Sequence, residues 1–476
     1  MDKARTSNQR RIMAVRQWIQ KSLEVSSKKN TIGVLDGVRG VACLIVIWFH
    51  IYRIPRDLHI WNPSSSTYPL LDSFLFFGRY GVTLFFVLSG FLLFLPYARS
   101  LLFEQAWPSL RQFYLRRVFR ILPAYYLTLI LIVLLFQRQY LQPQHWQELG
   151  LFFAMFMDSS PATFKQLNAP FWTLAIEWQF YMLLPWLALG MRQLVWRVSQ
   201  KFRLSAAVTC LLGVIAWGLF TRYYGTYFQQ HPAETILVPR TVLDVVLFFT
   251  YGASGKYLED FAVGMLLSLC FVYAQHPSVA PSIAKALHKL SPWLWGIGLL
   301  CACAMVLWCY NQKFVNTWQI FSAPVFYQYF YLLSELCLSL SFGLCLLALL
   351  FGSPWLKRPF EAAPLQWTGA ISYSLYMWHL PFIFVFIGSL QFLLHGWLPE
   401  QSYVVYWLWI LAVVMPFCFL FFLLVEKPGM RLGERFTCLR NKNADQIVPS
   451  PQPESTVRVN KGAVRDRSTA PLHPVY

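Results

Sequence analysis

The apolar stretch LDGVRGVACLIVIWFH (35–50) carries Asp36 and Arg39 at one end and His50 at the other. Eleven steps of about 100° return to within about 20° of the same helix face, and at about 1.5 Å per residue they separate Arg39 from His50 by about 16 Å. One face thus holds a guanidinium towards one membrane surface and an imidazole towards the other. Ionisable groups inside a membrane usually face a bundle interior or a watery cavity. A histidine that titrates near neutrality can also take a proton from an attacking hydroxyl. The structural alternative is an interfacial imidazole bonded to a carbonyl, with a snorkelling arginine.

Four more segments place chemistry in apolar surroundings. In FWTLAIEWQFYMLLP (171–185), Glu177 lies about two turns from the helix start, at a level His50 could share, where a carboxylate could orient or charge the imidazole. In RRVFRILP (116–123), Arg117 and Arg120 are at i,i+3 and could hold a phosphate through charge-assisted hydrogen bonds, although membrane anchoring would use the same residues. In ISYSLYMWHLP (371–381), Tyr376 and His379 are also at i,i+3 and can touch. Glu335 stands alone in an apolar run, a functional candidate with no evident partner.

The elements that must position these groups are membrane helices. The 476 residues are 57% hydrophobic, 18% aromatic and 13% charged, against roughly 25% charged in soluble domains. Ten segments have the length and apolarity to span: 35–52, 80–98, 121–136, 171–190, 204–221, 257–275, 293–310, 328–351, 371–394 and 403–425. With the N-terminus in the cytoplasm, 30 Lys and Arg fall on inside segments and 9 outside, which fits ten spans and two cytoplasmic termini. The segments 149–157 and 238–252 are too short or too polar to cross alone, and either could be re-entrant. The net charge of +19 sits beside the spans and meets anionic lipid headgroups, so no nucleic acid is expected as a partner.

The chain divides into a basic cytoplasmic segment (1–30), a membrane domain (31–432) and a polar, disordered cytoplasmic tail (433–476). Residues 12–23 alternate apolar and basic groups as a surface-lying helix would, though a solvated basic tail would do so too. No cleavable leader is expected. The ten cysteines are scattered without metal spacing, so neither a disulfide framework nor a metal site is expected. No internal repeat of the transporter kind is evident.

Taken in order, these motifs resemble the acyltransferase-3 family of integral membrane acyltransferases. The resemblance rests on LDGVRGVACLIVIWFH, GVTLFFVLSGFLL (81–93), RRVFRILPAYY, WTLAIEWQFYMLLP, EDFAVGMLL, ISYSLYMWHLP and VEKP (425–428), and it covers roughly 31–432. It implies transfer of an acyl group, commonly acetyl, from cytoplasmic acyl-CoA to a hydroxyl of a carbohydrate, cell-envelope or lipid-linked acceptor, in a plasma or inner membrane. It also implies roles for Arg39, His50 and the Arg117/Arg120 pair. Relatives often have Asp or Glu where this chain has Thr83, so no role is carried to that position. Many also carry an extracytoplasmic esterase-like domain, here expected to be a separate chain or absent.

The resulting expectation is an enzyme with no tightly bound cofactor and acyl-CoA as donor substrate. Arg39, Arg117 and Arg120 bind the donor. His50 serves as general base or transient acyl carrier, and Glu177 as its orienter. Asp36, Tyr376, His379 and Glu335 are further candidates. A proton-coupled transporter using the buried His and Glu residues is the alternative from another class, and a non-catalytic scaffold ranks last.

Overall fold

The computed structural model describes residues 33–60, 69–277, 281–313, 329–394 and 396–447. The segment 1–30, its surface-helix reading and the tail beyond 447 lie outside them, whereas residues 433–447 of the tail expected to be disordered continue the helix Lys427–Ile447. Among the described residues there are helices and no strand, as expected where backbone amides must be satisfied without water. Among the described residues ten helices are long and apolar enough to span, and each overlaps one of the ten expected segments: Gly33–Asp57, Ser73–Phe103, Leu110–Leu135, Phe171–Val195, Gln200–Gln230, Leu258–Gln275, Ser282–Cys309, Phe330–Phe351, Ser372–Leu394 and Gln401–Thr437. They are called the first to tenth spans below.

The short apolar segments become short helices, Trp146–Phe153 and Arg240–Thr250. Both follow odd-numbered spans and so lie at one end of the bundle, where Phe156 stacks on Phe248 with ring centroids 5.8 Å apart. At the same end Lys256 donates to Ser159 Oγ at 2.8 Å and to Gln179 Oε1 at 2.9 Å, and it pairs with Asp158. These bonds fasten the connection between the third and fourth spans to the fourth span and to the loop before the sixth.

Close helix contact positions the second span. A Cβ on Gly90 would lie 2.1 Å from the Phe261 carbonyl oxygen, and one on Gly264 would lie 2.1 Å from that of Val87. Only glycine permits this crossing of the second and sixth spans. It sets the depth of Thr83 and Ser89, which the second span carries into the bundle.

Prolines leave carbonyls that the fold reuses. Pro381 cannot donate to Met377, four residues earlier, and Asn168 Nδ2 donates to the Met377 oxygen instead, at 2.8 Å. The loop before the fourth span is thereby tied to the ninth span beside His379. In the tenth span, π-helical turns cover Ile410–Val414 and Phe422–Glu426. The second ends on Glu426, which accepts a hydrogen bond from Ser374 of the ninth span.

Candidate functional site: two cavities meeting at Tyr376

The first span is one continuous helix from Gly33 to Asp57, so Arg39 and His50 keep the axial separation of about 16 Å that the helical rise dictates. They line different cavities. His50 lines a cavity of about 540 Å3 at the end that holds the short helices, with Thr83, Trp172, Tyr257 and Glu335. Arg39 lines a smaller space of about 70 Å3 towards the other end, with Arg117, Arg120, Glu177 and Tyr181. Val82 and Tyr376 line both cavities and form the partition between them.

The hydrogen bonds of His50 assign its tautomer. Its Nδ1 is 3.0 Å from the Val46 carbonyl oxygen and 3.2 Å from Nε2 of His379. Nδ1 of His379 is 3.1 Å from the Leu375 carbonyl oxygen. A carbonyl only accepts, so both Nδ1 atoms carry hydrogens. His379 Nε2 is then an acceptor for His50 Nδ1–H, and His50 Nε2 keeps its lone pair, with no hydrogen-bond partner among the described residues. His379 is fully buried, while His50 is half-buried and open to the larger cavity.

The expected pairing of Glu177 with His50 is not the one the fold makes. Glu177 accepts hydrogen bonds from Ser89 and Tyr181 and faces the space that Arg39, Arg117 and Arg120 share. Both its level and the direction of its side chain depended on packing against the second span, which places it with Arg39 and not with His50. The histidine's neighbour is a second histidine from the ninth span. Arg117 and Arg120 line one space, as their i,i+3 spacing allows, and the Arg117 guanidinium lies 5.9 Å from the Tyr181 ring centre. Asp36 lies 3.9 Å from Arg39.

Tyr376 and His379 touch, with ring centroids 5.9 Å apart. The Thr173 hydroxyl is 2.9 Å from the Pro170 carbonyl, to which it donates, and 2.7 Å from the Tyr376 oxygen. Tyr376 therefore donates to Thr173 and closes the partition from the ninth span to the fourth. Phe85 packs edge-on against Tyr376 at 5.9 Å.

Glu335 has partners that the sequence did not reveal. Thr83 donates to it at 2.8 Å, and Arg79 lies 3.9 Å away. Thr83 is thus a donor to a carboxylate rather than a carboxylate itself. Deeper in the wall, Arg222 donates to Glu259 from Nε at 2.8 Å and from its terminal nitrogen, with 9% and 1% side-chain exposure. This pair anchors the EDFAVGMLL segment. Arg79, Ser89, Lys165, Arg222 and Glu426 were not singled out as site candidates. Only a charge placed next to a predicted span end hinted at the basic ones. Among the described residues no group of three His, Cys, Asp or Glu side chains is disposed to hold a metal.

A polytopic helix bundle with an arginine-lined pocket on one side of a partition and a histidine-floored cavity on the other defines the class of protein. Residues 32–423 match the family model of the acyltransferase domain, and the chain belongs to that family. It is 26% identical over 73% of its length to a peptidoglycan O-acetyltransferase of Listeria monocytogenes, matching 49% of that protein. It is 27% identical over 73% of its length to a putative peptidoglycan O-acetyltransferase of Bacillus subtilis, matching 48% of it. A putative O-acetyltransferase of Staphylococcus aureus is 22% identical over 87% of the chain and 60% of that relative. The chain thus spans about half the length of the first two relatives. No solved structure matches it.

Proposed function

We propose that the protein is a membrane O-acyltransferase that moves an acyl group, acetyl by analogy with its relatives, from acyl-CoA to a hydroxyl of a cell-envelope carbohydrate. The observation that carries this reading is the pair of cavities meeting at Tyr376 and Val82, with Arg39 in one and His50 in the other on a single helix. The 30-to-9 distribution of basic residues supports a cytoplasmic position for the arginine pocket. Acyl-CoA enters there with its phosphates on Arg117, Arg120 and Arg39, because guanidinium forks match phosphate oxygens. Glu177, fixed by Ser89 and Tyr181, places a negative charge that interacts electrostatically with Arg39.

The thioester reaches the partition and the acceptor hydroxyl arrives from the larger cavity. His50 Nε2 takes the hydroxyl proton as the oxygen attacks the thioester carbonyl. The C–S bond breaks, and the imidazolium returns the proton to the CoA thiolate. His379 holds the reactive tautomer by accepting from Nδ1–H, in the manner of an orienting group in a nucleophile–base–orienter set.

The test supplies acyl-labelled acetyl-CoA to inside-out vesicles and follows CoA release together with label in lipid and carbohydrate fractions. Label should appear with the unaltered chain and vanish with His50→Ala. Full transfer by His50→Ala overturns the mechanism. No donor consumption with any acyl-CoA or envelope extract overturns the transferase reading in favour of proton-coupled transport. A burst of CoA release without acceptor, leaving label on His50, would make the histidine an acyl carrier instead of a general base.

A further inference from the structure

The larger cavity is built for a charged ligand. Four of its lining side chains are cationic, Arg53, Arg79, Lys165 and Arg222, and two are carboxylates, Asp57 and Glu335. Each carboxylate is already engaged. Asp57 accepts from Arg53 at 2.7 Å, and Glu335 accepts from Thr83 at 2.8 Å with Arg79 at 3.9 Å. Arg222 is neutralised by Glu259 behind the wall. Lys165 has no carboxylate within ion-pair distance among the described residues. Its ammonium lies over two rings, 4.7 Å from the centre of Phe164 and 5.7 Å from that of Trp172.

The backbone holds Lys165 in place at a cost. Lys165 and Leu167 have φ of 61° and 56°, a left-handed conformation that is strained for non-glycine residues. The loop keeps it because Thr163 donates to the Met157 carbonyl at 2.9 Å and Asn168 to the Met377 carbonyl at 2.8 Å. The second bond anchors the loop two residues from His379. Desolvation in the cavity wall, then Arg79 and Arg53, lower the Lys165 pKa to about 8. Lys165 nevertheless keeps solvent access, as a ligand site requires. Arg53 and Lys165 also interact electrostatically with His50. A base that becomes cationic during catalysis is opposed by such neighbours, unless the acceptor brings a compensating negative charge.

Resting on the acyltransferase reading, we infer that the acceptor is an anionic saccharide, whose carboxylate or phosphate binds Lys165 and Arg79 while its hydroxyl meets His50. Trp172, Tyr257 and Tyr80 supply the aromatic faces against which sugar rings pack. The cavity of about 540 Å3 lies within the range of about 300–1,000 Å3 usual for small-molecule sites.

The test uses the full chain in lipid nanodiscs. Its probes are a neutral chitin tetrasaccharide, a muramic-acid-containing tetrasaccharide bearing carboxylates, the methyl ester of the latter, and glucose 1-phosphate. Equilibrium binding is measured first, then transfer from acetyl-CoA. A charge-assisted contact of this kind should make an anionic probe bind about tenfold or more tighter than its neutral counterpart. Lys165→Gln should remove that margin, leave neutral-probe binding and the acetyl-CoA KM unchanged, and be rescued by Lys165→Arg. The carboxylate and phosphate arms show which anion is taken.

Equal binding of charged and neutral probes overturns the inference, as does a Lys165→Gln variant that weakens both alike. If anionic probes bind through Lys165 but no donor is consumed with any of them, the anion site stands and the acyltransferase reading falls.

Discussion

Nε2 of His379 lies 3.2 Å from Nδ1 of His50, a contact between the ninth and first spans. Both Nδ1 atoms also face backbone carbonyls one helical turn earlier, Val46 and Leu375. The pair therefore reads in one direction, with His50 donating to His379 and the His50 lone pair left on Nε2.

His50→Ala and His50→Gln should each lower acyl transfer by about 10²–10⁴-fold, the usual worth of a positioned general base. His379→Gln should lower kcat less and leave the acetyl-CoA KM unmoved, because it disturbs only the orientation of the base. Steady-state kinetics on acetyl-CoA and acceptor separate the two. Loss of donor affinity in His379→Gln would place that residue in the wrong cavity.

Arg117→Ala and Arg120→Ala should raise the KM for acetyl-CoA by about tenfold each, the value of one charge-assisted hydrogen bond. The KM for acceptor should stay within error. Replacing acetyl-CoA by an acetylated pantetheine, which lacks the nucleotide phosphates, should erase the difference between variants and unaltered chain.

Tyr376 and Val82 separate the two cavities, so the size of residue 376 controls leakage. Tyr376→Phe removes the hydroxyl bond to Thr173 but keeps the ring, and should cost about 1 kcal/mol or less. Tyr376→Ala opens the partition. It should increase acetyl-CoA hydrolysis in the absence of acceptor, followed as free CoA. Unchanged hydrolysis in Tyr376→Ala would mean that the ring does not hold the two spaces apart.

Acceptor binding should depend on pH through Lys165. Its pKa of about 8 reflects desolvation and the cations Arg79 and Arg53, while Asp57 and Glu335 in the same cavity are already paired. Below pH 8 the ammonium is charged and an anionic probe binds. As pH rises past 8 the charge is lost and the probe's Kd increases. A bound anion favours the ammonium, so the midpoint should sit higher in the complex than in the free protein. Binding titrations at pH 6.5 to 9.5 with the unaltered chain and Lys165→Gln check this, the variant showing no such limb.

Glu259→Gln should destabilise the bundle by about 3–5 kcal/mol, because it strands the buried Arg222 guanidinium. A lower thermal midpoint in detergent is the readout, and Arg222→Met with Glu259→Gln should recover part of it.

The spans were legible because about 20 apolar residues and a basic flank are local signals. The eleven-residue step from Arg39 to His50, the i,i+3 arginines and the i,i+3 pair of Tyr376 and His379 were legible for the same reason. Each lies on one helix, whose 3.6-residue period fixes relative direction. Glu177 was given the level and the neighbour of His50 but shares the pocket of Arg39, since a position along one helix does not say how that helix sits against the others.

The amino-acid order alone thus determined ten spans, the ordered motifs, and a guanidinium and an imidazole at opposite ends of the first helix. Only the tertiary structure decided that His379 is the partner of His50, that Glu177 stands among the arginines, that Thr83 and Arg79 meet Glu335, and that Lys165 looks into the cavity with no carboxylate within ion-pair distance among the described residues. The physical reason is that these contacts join helices far apart in sequence. Their geometry comes from helix crossings such as Gly90 on Phe261 and Gly264 on Val87, and from a strained loop tied by Asn168 to a carbonyl that Pro381 leaves free.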